Sequence, residues 1–154
     1  MISVALLFIS AIALSNACVP TSTSSTTATP CCPMLSSSSL PRATPTNLGT
    51  YEQCSVLQRV SSTCPVDGIV VCDAAQETNP TGMQIEFLSS SGTVVRTFTA
   101  SGSQLSAQVF CVNGQWRVRT TAGGTATAVI DRVTCSQTGS VGTDRGYVIG
   151  SAHQ

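Results

Sequence analysis

Between Tyr51 and Cys135 the chain alternates short apolar runs with clusters of Gly, Asn and Ser. The runs are rich in Val, Ile, Phe and Thr, residues that suit a pleated, half-buried strand. Seven strands are expected, in "CSVLQRV", "GIVVCDA", "MQIEFLS", "TVVRTFT", "SAQVFCV", "QWRVRTT" and "ATAVIDRVTC". No stretch carries a helical stripe, and no internal repeat is present. In "MQIEFL" the alternation places Met83, Ile85 and Phe87 inward and Gln84 and Glu86 outward. "SSSG", residues 89 to 92, turns the chain into the next strand. The last run is mixed, because Val129, Val133 and Cys135 share a phase with Asp131.

"AQVFCVNGQWRVRT" fixes a register. Asn113-Gly114 suits a two-residue type I′ turn, in which both central residues take positive φ. Val112 then faces Gln115, Cys111 faces Trp116, Phe110 faces Arg117 and Val109 faces Val118. Val109, Cys111, Trp116 and Val118 share one apolar face and form the core of the hairpin. Gln108, Phe110, Arg117 and Arg119 lie on the other, where Phe110 and Arg117 are placed for a cation–π contact. Trp116 beside a disulfide at Cys111 is, by analogy, the arrangement of a sandwich core.

The pattern before residue 51 is different. Residues 2 to 14 are apolar apart from Ser3 and Ser10. This stretch is shorter than the about 20 residues a membrane span needs. It fits the apolar region of a signal peptide, with Ser15 and Ala17 at −3 and −1 of a cut that leaves Cys18 first. Residues 18 to 50 are biased to Ser, Thr and Pro, and "PTSTSSTTATP" holds one other residue, Ala28. Such a segment has little apolar area to offset its ordering entropy and is expected to be a disordered, O-glycosylated stalk. The expected organisation is signal peptide 1–17, stalk 18–50 with a Cys31-Cys32 junction, β domain 51–135 and flexible tail 136–154. The fold class is all-β: a disulfide-stapled antiparallel sandwich of about seven short strands behind a disordered segment.

Charge narrows the function. Charged residues are 9 % of the 154, the formal net charge is zero, and all seven cationic residues are Arg. That is not the basic footprint of a nucleic-acid binder, and no cluster addresses an anionic membrane. The single His, His153, stands in the tail, so a Ser–His or Cys–His pair has no positioned imidazole. Without Lys there is no Schiff base. Asp67, Asp73, Glu77, Glu86, Asp131 and Asp144 are scattered, which suits neither a calcium loop nor paired hydrolytic carboxylates. No enzyme activity, metal or cofactor is expected.

Cys18, Cys31, Cys32, Cys54, Cys64, Cys72, Cys111 and Cys135 all lie beyond the expected cut. An even count in a secreted chain reads as a disulfide framework, whose connectivity the count does not set. Zinc sites favour Cys pairs two to four residues apart, which these cysteines do not form. Neighbouring Cα atoms are about 3.8 Å apart. A disulfide prefers roughly 4.4–6.8 Å. Cys31 and Cys32 are therefore expected to bond two different cysteines and to pin the stalk's end to the domain.

The order of "CC-P", "TCPVDGIVVC", "VFCVNGQW" and "VIDRVTC" resembles the nematode secreted six-cysteine domain, the C-six domain, and a similar nematode cysteine-rich domain of unknown function. The resemblance spans residues 31 to 135. Its most specific pieces are the Cys64–Cys72 spacing and Cys111-x-x-Gly-x-Trp116. It aligns Cys31 or Cys32, Cys64, Cys72, Cys111 and Cys135 with family cysteines, while Cys18 and Cys54 fit less well. It implies an extracellular protein, with Cys64 paired to Cys31 or Cys32, and no catalytic residue.

The expected function is that of a secreted, non-enzymatic binding or structural module. Its partner would be an extracellular protein or glycan, not nucleic acid, with no membrane insertion after signal cleavage. The alternatives are a secreted defence or protease-inhibitor-type protein, with "CDAAQETNPTGM" as its presented loop, and a small hydrolase.

Overall fold

The computed structural model describes residues 30–48, 50–52 and 55–140. The expected signal peptide, the first part of the stalk, Cys18, Cys54 and the tail from residue 141 lie outside the described residues. The described chain is all-β, with antiparallel sheets and three disulfides.

Nine strands follow in chain order: β1 Val56–Val60, β2 Asp67–Asp73, β3 Gly82–Leu88, β4 Val94–Ala100, β5 Gln104–Val112, β6 Gln115–Arg119, β7 Thr127–Val129, β8 Arg132–Val133 and β9 Ser136–Thr138. One sheet has the order β1-β2-β5-β6-β7. The other has β4-β3-β8, with β9 pairing a further stretch of β3. Their inward residues join in one cluster, with Val70, Cys72, Val109, Trp116 and Val118 from the first sheet and Met83, Ile85, Phe87 and Val133 from the second.

The last apolar run divides into two strands in different sheets. Ile130 N donates to the Trp116 carbonyl of β6 at 3.0 Å, and Asp131 N donates to the Leu88 carbonyl of β3 at 2.9 Å. The chain thus leaves one ladder and joins the other between consecutive residues. This break lets Ile130 be buried and Asp131 exposed, and it explains the mixed phase of that run.

The Asn113-Gly114 hairpin has the register Cys111↔Trp116, Phe110↔Arg117 and Val112↔Gln115. Asn113 has φ 52° and Gly114 φ 75°, the positive values this turn requires. Val109, Trp116 and Val118 are buried, whereas Cys111 is only half-buried. Cys111 reaches the core through its bond to the buried Cys32. The expected contact of Phe110 with Arg117 is corrected. Arg119 lies over the Phe110 ring at 5.0 Å, while Arg117 turns to the Thr127 carbonyl at 3.5 Å. Strand twist favours this diagonal neighbour over the one directly opposite.

The outward placement of Gln84 and Glu86 is also corrected, since both are buried. The cause is the segment read as stalk. Arg42 bridges Val133 in parallel, and Ala43 N donates to the Val133 carbonyl at 2.8 Å. Thr46 then sits on β3, where its N–H donates to Glu86 Oε2 at 3.0 Å and its hydroxyl donates to Glu86 Oε1. Thr134 Oγ1 donates to Glu86 Oε2 at 3.3 Å. Gln84 Nε2 donates to Asn47 Oδ1 at 3.0 Å. β3 is therefore covered on both faces, and polar pairing satisfies its second face.

The boundary at residue 51 consequently moves towards the N-terminus. Leu35 and Leu40 are buried in the shared core. The four-serine run closes a turn, with Leu40 N on the Ser36 carbonyl at 3.0 Å and Ser39 Oγ on the Met34 carbonyl at 2.6 Å. The boundary at 135 moves too, because β9 pairs Gly82↔Thr138, Met83↔Gln137 and Gln84↔Ser136.

The cysteine doublet sends out two bonds: Cys31 joins Cys64, and Cys32 joins Cys111. Of the pairings the resemblance left open for Cys64, the structure has the one with Cys31. The third bond, Cys72–Cys135, ties β2 of the first sheet to the β8–β9 connection of the second. Close behind the doublet, Trp116 Nε1–H donates to the Pro33 carbonyl at 2.9 Å. Gly68 lets this knot close: a Cβ there would stand 2.5 Å from Leu35 Cδ1 and 3.3 Å from Trp116.

Candidate binding groove

Alternation on β4 puts Arg96 and Phe98 on one side of the strand, opposite Phe87 and Ile85 of β3. Phe98 meets the buried Phe87 edge to face, with centroids 5.9 Å apart and an interplanar angle of 87°. Arg96 lies over the Phe98 ring at 4.9 Å and donates from Nη1 to the Thr120 carbonyl at 3.0 Å. That hydrogen bond holds β4 beside the end of β6. On β5 and β6 the same chemistry recurs in the stack of Arg119 on Phe110.

The two arginine–phenylalanine stacks line one open groove of about 190 Å³. Gln108 and the turn Thr121, Ala122 and Gly123 complete its wall. No Asp or Glu is among the lining residues. A guanidinium stacked on a ring turns its N–H groups away from the ring face. Arg119 makes no hydrogen bond with them among the described residues, whereas Arg96 spends Nη1 on Thr120, has Nε shielded, and has Nη2 left over. Among the described residues neither Arg96 nor Arg119 has a carboxylate partner. The groove can therefore bind an anion by geometry already in place.

The carboxylates are not part of the lining, although Asp67 Oδ2 accepts from Gln108 Nε2 of its wall at 3.5 Å. Asp73 accepts from Gln58 Nε2 at 2.9 Å and from Gln104 Nε2 at 2.6 Å. Glu86 is buried under Thr46 and Thr134. Asp67 and Asp131 are exposed. His153 and Asp144 lie outside the described residues. Among the described residues no three of His, Cys, Asp and Glu come together as metal ligands. Arg59 is taken by the Leu40 carbonyl at 2.7 Å, and burial lowers the pKa of its guanidinium.

The loop offered as an inhibitory segment is anchored to the domain. Ala74 N donates to the Ser103 carbonyl at 2.7 Å and Ala75 N to Gln137 Oε1 at 2.8 Å, while Ala75 and Pro80 are buried. Its exposed residues are Gln76, Glu77, Asn79 and Thr81.

Of the hairpin face Val109, Cys111, Trp116 and Val118, three residues are buried and Cys111 is half-buried, and six of the eight cysteines are bonded among the described residues. The groove has no such local signature. Alternation places Phe110, Arg117 and Arg119 on one face of the hairpin, but nothing local joins them to Arg96 and Phe98. The one available signal was an Arg two residues before a Phe on a strand.

No family model matches the chain, and neither does any curated protein or solved structure. The resemblance to the nematode six-cysteine domain rests on the cysteine and tryptophan pattern alone.

Proposed function

We propose that the protein is a secreted, non-enzymatic binding module of the extracellular space, clamped by disulfides and working through the groove between β4, β5 and β6. The observation that carries this reading is the groove. It places two guanidiniums, each stacked on a phenyl ring, in a wall that holds no carboxylate. Such a site suits an anion, and among the described residues its lining carries no carboxylate, imidazole or thiol with which to turn that ligand over. The compartment is supported by three disulfides in a small β domain and by the leader-like start of the sequence. O-glycans belong, on this reading, to the Ser/Thr-rich stretch before Pro30, since Ser36 and Ser39 are engaged in their own turn.

The test is expression of the whole chain in a eukaryotic secretory cell. The expected product is in the medium, begins at Cys18 and loses mass on O-glycosidase treatment. Retention inside the cell with the leader intact would defeat the reading.

A further inference from the structure

Three of the seven arginines, Arg96, Arg117 and Arg119, stand on the strands around the groove, although the whole chain is formally neutral. None of the three has a carboxylate partner among the described residues. Arg96 Nε and Arg117 Nε are shielded and make no hydrogen bond. On this side Asp67 stands opposite Phe110 in register and takes Gln108 Nε2 at 3.5 Å. Arg117 is paired directly with Phe110 outside the groove lining, and its Nη1 is turned to Thr127.

We propose that this groove binds an acidic extracellular glycan. Its sulfate or uronate groups are held by the guanidiniums of Arg119 and Arg96, and its hydroxyls meet Gln108 and Thr121. The proposal rests on the extracellular reading above and adds the ligand's chemistry. The fork of Arg119 matches the planar carboxylate and the oxygen face of a sulfate, and Nη2 of Arg96 adds a single charged donor. Each phenyl ring already carries a guanidinium, so the groove offers donors rather than the apolar pocket in which a protein partner seats its anchor residues. The amide of Gln108 and the hydroxyl of Thr121 are neutral groups suited to sugar hydroxyls. Two guanidiniums in one groove, with the charge of Arg117 two residues away on the same strand as Arg119, suit an anion that repeats along a polymer better than one isolated ion. With a net charge of zero, binding cannot come from the overall charge.

The test is calorimetric titration of the full chain, recovered from medium, with a heparin-derived octasaccharide at low and at physiological salt. Binding is expected, weakening steeply as salt rises. Arg119→Ala weakens it about tenfold, the loss of one charge-assisted contact. Arg119→Lys restores part of that loss, because charge returns without the fork. Arg132→Ala, an exposed arginine on β8, leaves affinity unchanged. Absence of binding, or equal losses in Arg119→Ala and Arg132→Ala, overturns the proposal. So does equal binding of poly-glutamate, which would make the ligand an acidic peptide. Self-association abolished by Arg119→Ala would make it a second copy and overturns the proposal as well. Secreted protein that ignores the octasaccharide removes the glycan and leaves the compartment standing. A chain retained in the cell removes the compartment, and its refolded form still reports on the glycan.

Discussion

Replacing Cys72 and Cys135 together with alanine lowers the stability of the domain by about 4 kcal/mol. The bond closes a span of 63 residues, so its loss returns a large loop entropy to the unfolded chain. Both cysteines are fully buried, and they join two sheets whose facing residues otherwise pack by side chains, with the backbone crossing between them at Ile130-Asp131. A small domain has about 5–15 kcal/mol in all, so the variant should be marginal at body temperature. Urea denaturation under non-reducing conditions measures the loss as a fall in midpoint. A midpoint equal to that of the parent would show that the two sheets hold without the bond.

Gln137→Leu is expected to cost about 3 kcal/mol. Gln137 is fully buried yet meets four polar partners. Its Oε1 accepts from Ser55 Oγ at 2.9 Å and Ala75 N at 2.8 Å. Its Nε2 donates to Thr78 Oγ1 at 3.1 Å and Ser140 Oγ at 2.6 Å. One amide thus fastens the approach to β1, the loop after β2 and the end of the described chain. Leucine fills the space but strands a buried backbone N–H and a buried hydroxyl, and unsatisfied groups carry their full desolvation cost. Gln104→Ala, which loses an exposed bond to Asp73, should change stability by no more than about 0.5 kcal/mol. Equal midpoints for the two variants would contradict the role given to Gln137.

The difference between these two glutamines marks what could be read in advance. Strand positions were legible because period-two alternation and an Asn-Gly turn are local. Met83, Ile85 and Phe87 are buried in the phase their spacing implies. The burial of Gln84 and Glu86 was not legible, because Asn47 and Thr46 come from a segment whose composition argues for disorder, and that of Gln137 was not because Gln137 itself stands in the stretch read as a flexible tail. Ser/Thr/Pro bias measures how little apolar area a segment brings. It does not register that Cys31 and Cys32 are bonded to the domain, which reduces the freedom the segment has left to lose. Two leucines, Leu35 and Leu40, then suffice to seat it. The groove was hidden for another reason. Its halves lie on strands of different sheets, and the stack of Arg119 on Phe110 depends on twist rather than on direct opposition. The change of sheet at Ile130-Asp131 left a trace in the sequence as a run that would not keep one phase.

The described residues between 30 and 140 share one disulfide-clamped core, and the central proposal is that this unit works in the extracellular space. The most direct measurement is a non-reducing peptide map of protein taken from the medium, cleaved at Arg and Asp. The expected map has one cluster joining the Cys31-Cys32 peptide to those of Cys64 and Cys111, and a separate pair of Cys72 with Cys135. A Cys31–Cys32 bond, a Cys64–Cys72 pair or free thiols at these six positions would contradict it.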